Sequence, residues 1–252
     1  ACEALSWRAP NGALKTMSAK VAFLAMHRDG LIALPAPRHK NTNTAWPLHL
    51  PPGELPAPIE ASLADLGRLC CRPVSDKAAS AAWNEAIARH HYLGHHPLPG
   101  AQRRYVVSAK GTDLALFGFG AAAWKCAARD TFIGWDPETR AKRLHLVVGN
   151  ARFLILPWVK VPNLASAALG LVVRALACDF EAIYGYRPVL AETFVETPRF
   201  AGTSYKAANW VHVGATKGRG KLDRDHSAKL AVKDVYLYPL ARDFRRHLVA
   251  RA

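Results

Sequence analysis

The chain has 252 residues, 50% of them apolar, and 34 Lys plus Arg against 19 Asp plus Glu, a formal net charge of +15. That is enough apolar material for one large domain or a medium domain with an appendage, and such a basic surplus points to an anionic partner. The five cysteines, Cys2, Cys70, Cys71, Cys126 and Cys178, lack the number and spacing of a disulfide framework. No stretch approaches the ~18 apolar residues of a membrane span, and the first thirty or so residues lack a signal-peptide layout. The expectation is a cytoplasmic protein in a reducing compartment with no membrane partner.

The charge is uneven. Residues 1–72 carry 8 basic and 5 acidic groups, whereas residues 199–252 carry 12 and 4. Within the latter, Thr216-Lys217-Gly218-Arg219-Gly220-Lys221 combines glycines with cations, which suits backbone amides and charges brought to phosphates.

In chain order, Met17, Val21 and Leu24 predict a helix over about 17–28, stopped by Asp29-Gly30 and followed by a short extended arm. This outlines a small helix-turn-helix-like module over 1–48, from which Arg28 and Arg38 would touch a nucleic-acid backbone. A helical hairpin that only packs on its neighbour fits the same residues. Prolines and small polar residues then suggest a Pro-rich linker over 49–72.

The domain over 73–252 opens on a helix from Ser75 to His91, with Ser75 as its expected cap, closed by Gly94. Strands are predicted at 103–108 and 114–119, a helical turn at 121–130, and strands at 143–148 and 152–156 separated by a Gly149-Asn150 turn. Asn163 caps the clearest helix, whose buried stripe is Leu164, Ala168, Leu169, Val172 and Leu176. The strand over 187–196 sets Ala191, Thr193 and Val195 on one face and Leu190, Glu192 and Phe194 on the other. A short helix over 204–209 and strands at 210–213 and 232–238 complete a mixed α/β (α+β) reading. No strand feeds a Gly-x-Gly-x-x-Gly helix start, which argues against a dinucleotide domain.

Several constellations bear chemistry. His90, His91, His95 and His96 suit a helix end with exposed imidazoles, contact with a phosphate or base, or, less well, a metal; no metal site is expected. Glu192, a carboxylate in a strand, is expensive to bury alone, so it either pairs with Arg129 or Arg152 or serves as a general base. The acidic residues Asp113, Asp223 and Asp225 lack the convergence of a two-metal nuclease. Trp135, in a turn-like segment, and Trp210, interleaved with basic residues, suit stacking on bases. Ser166 and Ser204 have no nucleophile-elbow context, which leaves a hydrolase unsupported.

The runs Trp7 to Leu34, His90 to Gly94, Arg129 to Trp135, Asn150 to Ser166, Glu192 to Val195 and Gly202 to Gly220 together resemble the Druantia anti-phage component DruA and its transposase-labelled relatives. The resemblance implies bacterial defence or mobile DNA, with DNA or RNA and other defence-system proteins as partners. A more remote likeness is one of fold. The order strand, helix from Asn163, strand to Glu196, short helix with Tyr205, strand from Trp210 is similar to the second half of an acyl-CoA N-acetyltransferase. In that family the helix start cradles pyrophosphate, which implies Asn163, Leu164, Ala165 and Ser166 as acyl-CoA contacts, and a late tyrosine protonates the leaving thiolate, which implies Tyr205. The segment Val161 to Ser166 lacks the family's glycines.

The expectation is therefore an N-acetyltransferase-like mixed sheet with flanking helices, behind the small helical module. Its function is read as nucleic-acid binding through Arg28, Arg38, Lys206, Lys217, Arg219, Lys221 and Arg224. A ligand cleft is expected near His91, Trp135, Asn209 and Trp210, with Glu192 and Tyr205 as the catalytic pair. The alternatives are an acyl-CoA-dependent N-acyltransferase acting on an amine or aminoacyl-nucleic acid, and a noncatalytic assembly subunit. Splayed strands at the start of the Asn163 helix, with Glu192 and Tyr205 pointing inward, would favour the acyltransferase.

Overall fold

The computed structural model describes residues 2–8, 14–36, 48–218 and 230–249. The chain divides into two compact units, 1–45 and 46–252. In the first, helix α1 (Thr16–Arg28) ends with His27 and Arg28 in its last turn, where cations meet the helix dipole favourably. Its small Ala19 is buried, while Met17, Val21 and Leu24 are exposed.

The second unit is a mixed α/β layer structure. Its main sheet has seven strands in the order β2-β3-β4-β5-β7-β9-β8. These are β2 (Cys70–Pro73), β3 (Arg103–Ala109), β4 (Thr112–Ala121), β5 (Val147–Ile155), β7 (Leu190–Glu196), β8 (Val211–Ala215) and β9 (Lys233–Pro239). A two-residue strand β1 (Ile59–Glu60) pairs in parallel with β6 (Val159–Lys160). The stretch 49–72 is thus not a linker. Helix α2 (Leu63–Leu66) carries a Ser62/Asp65 capping box, and β2 joins the sheet beside β3.

Helices cover both faces. The first face carries α6 (Leu164–Tyr184), 21 residues long, whose Ala168, Leu169, Val172, Leu176 and Phe180 pack on Tyr105, Phe117, Val148 and Ala191. This is the stripe the 3.6-residue period requires. On the other face, α3 (Lys77–His90) sets Trp83 and Ile87 against Val106, Leu114 and Leu116. Next to it, α4 (Ala127–Ile133) and the C-terminal α8 (Phe244–Val249) cover Val147, Leu190, Val235 and Leu237. Helix α5 (Pro137–Arg143) follows α4, opening on Asp136 as cap and Pro137 in its first turn, and α7 (Thr203–Ala207) lies between β7 and β8.

Three local expectations are corrected. Asp76, not Ser75, caps α3, because its carboxylate accepts the Ala79 N–H at 2.8 Å. Gly149-Asn150 is not a turn, since both residues pair with β4 inside the continuous strand β5. Asn163 precedes α6 in the left-handed region at φ 62°, and its side chain caps nothing. Among the described residues no helix is long and apolar enough to cross a membrane.

Candidate functional site

The site begins with a fault in the sheet. Along β4 the partner of Phe119 is Asn150, and that of Gly118 is Arg152, so Ala151 is an extra residue in β5. Such a bulge bends its strand and sharpens the local twist. The Asn150 amide pins it by donating to Gly118 O at 3.3 Å and Arg152 O at 3.0 Å. The neighbouring parallel strand feels the bend directly. Pairing of β5 with β7 runs from Val147↔Leu190 to Asn150↔Thr193 and stops there, although β5 continues to Ile155 and β7 to Glu196. The two central strands separate at the bulge.

A cleft of about 430 Å³ occupies the opening. Its walls are β5 beyond Asn150, β7 beyond Thr193, the Phe200–Tyr205 segment, Ala165 at the start of α6, and the His90–Leu93 segment at the end of α3. At its vertex Tyr205 donates its hydroxyl proton to Asn150 Oδ1 at 2.7 Å. Thr193 Oγ1 lies 3.3 Å from the Tyr205 hydroxyl and 3.2 Å from Asn150 O. Burial raises the Tyr205 pKa well above the ordinary phenol value, so the group holds its proton at neutral pH. The ring is fixed by Phe153, Trp210 and Tyr236, with centroids 5.9, 5.1 and 6.0 Å away.

Across the cleft, His91 is buried and its Nδ1 accepts the Leu93 N–H at 3.1 Å. That bond leaves the neutral ring's proton on Nε2, making His91 a donor. Burial first, and the Arg152 charge second, push its pKa down to about 4. Gly202 closes the near wall at φ +68°, where a Cβ would stand 2.5 Å from the Tyr236 hydroxyl, so only glycine fits.

The residues expected from the sequence divide accordingly. Tyr205, His91 and Ala165 line the cleft; Trp210 sits behind Tyr205, and Asn209 is exposed after α7 at φ 62°. Leu164 is core, while Ser166 turns its hydroxyl to Asn163 O at 3.0 Å. The Ala165 and Ser166 amides precede the first Asn163-to-Ala167 helical bond.

Glu192 is a correction. It lies on the sheet face opposite Thr193, is fully buried, and accepts Ala123 N–H at 2.6 Å and Arg129 Nη1 at 2.8 Å. Arg129 also meets Asp130 at 2.8 Å. Burial works against the Arg129 charge, but Glu192 and Asp130 outweigh it, and its pKa is raised. This is the ion pair the sequence allowed, and it does not reach the cleft. Trp135 belongs to the same network, donating to Asp130 Oδ1 at 2.9 Å, so it is no cleft platform. Arg28, Lys206 and Lys217 are exposed, whereas Arg38, Arg219, Lys221 and Arg224 lie outside the described residues.

Sequence reasoning missed Asn150, which both staples the bulge and holds Tyr205. The available signal was an asparagine next to a glycine within the largely apolar run from Val147 to Ile155, a residue type that strands disfavour.

A family model described as Druantia protein DruA matches residues 25–228. No curated protein matches. Among solved structures, the fold resembles the ribosomal-protein-S18-alanine N-acetyltransferase of Escherichia coli, with 8% identity, 69% of this chain and 95% of that chain covered, and a TM-score of 0.44. A spermidine N-acetyltransferase chimera from Vibrio cholerae shares 10% identity over 68% of this chain and 95% of its own, with a TM-score of 0.41. An N-acyl amino acid synthase from uncultured soil microbes shares 9% identity over 72% and 94%, also with a TM-score of 0.41.

Proposed function

The chain belongs to the Druantia protein DruA family, and from that premise and the geometry of the split sheet we propose that it is an acyl-CoA-dependent N-acyltransferase acting on an amine. The observation that carries the reading is the Tyr205 hydroxyl, held by Asn150 at 2.7 Å where β5 and β7 part. Parted parallel strands leave unpaired backbone N–H and C=O groups on their facing edges, which suit an extended amide-bearing arm. The first-turn amides of α6 at Ala165 and Ser166 suit a phosphate at the cleft wall. The left-handed backbone at Asn163 does there, without glycine, what a glycine would otherwise do.

Acyl-CoA bound here would supply a thioester. The acceptor nitrogen bonds to the carbonyl carbon as the carbon–sulfur bond breaks. Tyr205 hands its proton to the departing sulfur, and the proton the amine loses returns to Tyr205 through water in the open cleft, so charge and protons balance. Thr193 supports the transient phenolate by donating to it. His91, with its proton fixed on Nε2, serves as a donor rather than a base.

The test is release of free thiol from acetyl-CoA over a panel of amines, compared with Tyr205→Phe. Thiol release that requires the amine and falls with the variant supports the reading. Equal release by both proteins counts against it.

The nucleic-acid reading keeps a place as a second function. Lys206 is exposed on α7, the helix that walls the cleft, and the last part of the chain is strongly basic. Affinity for a duplex or single strand that falls steeply with salt supports it, and weak salt-independent binding does not. Either activity would serve the defence or mobile-element setting that the family resemblance implies.

A further inference from the structure

We infer that the α3 side of the cleft is an oxyanion-binding acceptor subsite, so that the amine acylated belongs to a molecule carrying a carboxylate or phosphate. The proposal rests on the acyl-transfer reading for the word acceptor; the anion site itself does not depend on it.

Arg152 is the central observation. It follows the bulge residue Ala151 and is half-buried, with Nε donating to Gly94 O at 3.1 Å and Nη1 to Ala151 O at 2.8 Å. Of the other sheltered arginines, Arg129 meets Glu192, Arg140 meets Asp130 and Arg103 meets Asp179, while Arg104 donates to the Asn84 amide oxygen away from the cleft. Among the described residues no carboxylate pairs with Arg152. A guanidinium withdrawn from water without a counter-charge is costly, and burial accordingly lowers its pKa. An incoming anion would recover that cost.

Its surroundings are donors and cations. The Arg152 charge reaches both His91 and Tyr92, which line the cleft. Arg199 sets its guanidinium carbon 4.6 Å from the Tyr92 ring centroid and 5.8 Å from that of Phe200. Arg199 is exposed and has no carboxylate pair among the described residues. Tyr92 therefore carries the Arg199 guanidinium over its ring, feels the Arg152 charge, and stacks on the His91 ring with centroids 4.9 Å apart. Glu196, at the end of β7, is the one carboxylate acting on Tyr92. None lines the cleft among the described residues. A polyamine acceptor would need acidic walls, and the described residues of this cleft supply none; the Arg199 guanidinium over Tyr92 and the nearby Arg152 charge suit the opposite charge.

The test uses the full chain and calorimetric titration with adenosine 5′-monophosphate and with aspartate. Adenosine and spermidine are the uncharged and cationic controls, and coenzyme A is titrated separately. Binding of at least one oxyanion but neither control is expected. Arg152→Gln and Arg199→Gln should each weaken it roughly tenfold or more while leaving coenzyme A affinity unchanged. The exposed Arg199 variant keeps the test valid should Arg152→Gln unfold the protein. Preference for the nucleotide or for aspartate identifies the anion as phosphate or carboxylate. Unchanged oxyanion binding in both variants would overturn the inference, as would displacement of the probe by coenzyme A or no binding of either probe. If coenzyme A fails to bind while arginine-dependent oxyanion binding persists, the acyl-transfer reading falls and the anion site stands.

Discussion

The Tyr205 hydroxyl donates to Asn150 Oδ1 at 2.7 Å, and the Asn150 amide at the same time ties the bulge that parts β5 from β7. One asparagine thus couples the opening of the sheet to the placement of the Tyr205 hydroxyl. Tyr205→Phe should lower kcat for thiol release by roughly 100-fold or more, the range of a lost general acid. KM should change little, and the far-ultraviolet circular dichroism not at all.

Asn150→Ala should cost about 1–3 kcal/mol in denaturant unfolding, since it frees Gly118 O and Arg152 O and leaves the Tyr205 proton without its acceptor. Activity should fall together with stability. Tyr205→Phe should separate the two, losing activity with a smaller loss of stability.

Glu192→Gln discriminates a structural from a catalytic carboxylate. Removing one charge of a buried pair leaves Arg129 undercompensated and should cost about 3–5 kcal/mol. A stable but inactive Glu192→Gln protein would instead restore the general-base role.

The Tyr236 hydroxyl is buried and has no hydrogen-bond partner among the described residues. Tyr236→Phe should therefore leave the midpoint of urea unfolding unchanged or raise it. Gly202→Ala should lower the midpoint and cost more than about 1 kcal/mol of unfolding free energy, because the new Cβ meets that ring and φ is positive.

Much of this was legible in the sequence. The apolar stripe of α6 and the two-residue alternation of β7 follow from periodicity, and they place Thr193 and Glu192 on opposite faces. The resemblance to acyltransferases pointed to Tyr205. What could not be read was long-range pairing. Gly149-Asn150 has the composition of a turn, and only the fit of β4 against β5 makes it paired strand that runs into the Ala151 bulge. Likewise Glu192 asked for a cation, but choosing Arg129 over Arg152 depended on which face α4 covers. Among the described residues Arg152 then remained without a carboxylate partner, a consequence visible only once Arg129 had been placed.

Acid should weaken the fold through His91. Its pKa is about 4 when folded, against an ordinary value of about 6.5, so the unfolded chain binds more protons between those limits. Stability from this group is complete above about pH 6.5 and is lost as pH falls toward 4. His90 and His95, also lowered by burial, add the same sign. His91→Gln should flatten the curve in urea titrations over that window.

The most direct measurement of the central claim is calorimetric titration of the full chain with acetyl-CoA. The split between β5 and β7, with the α6 amides at its wall, predicts saturable binding at one site per chain, weakened by a bulky Ala165→Trp substitution in the cleft. No binding at millimolar acetyl-CoA, or binding indifferent to Ala165→Trp, would contradict it.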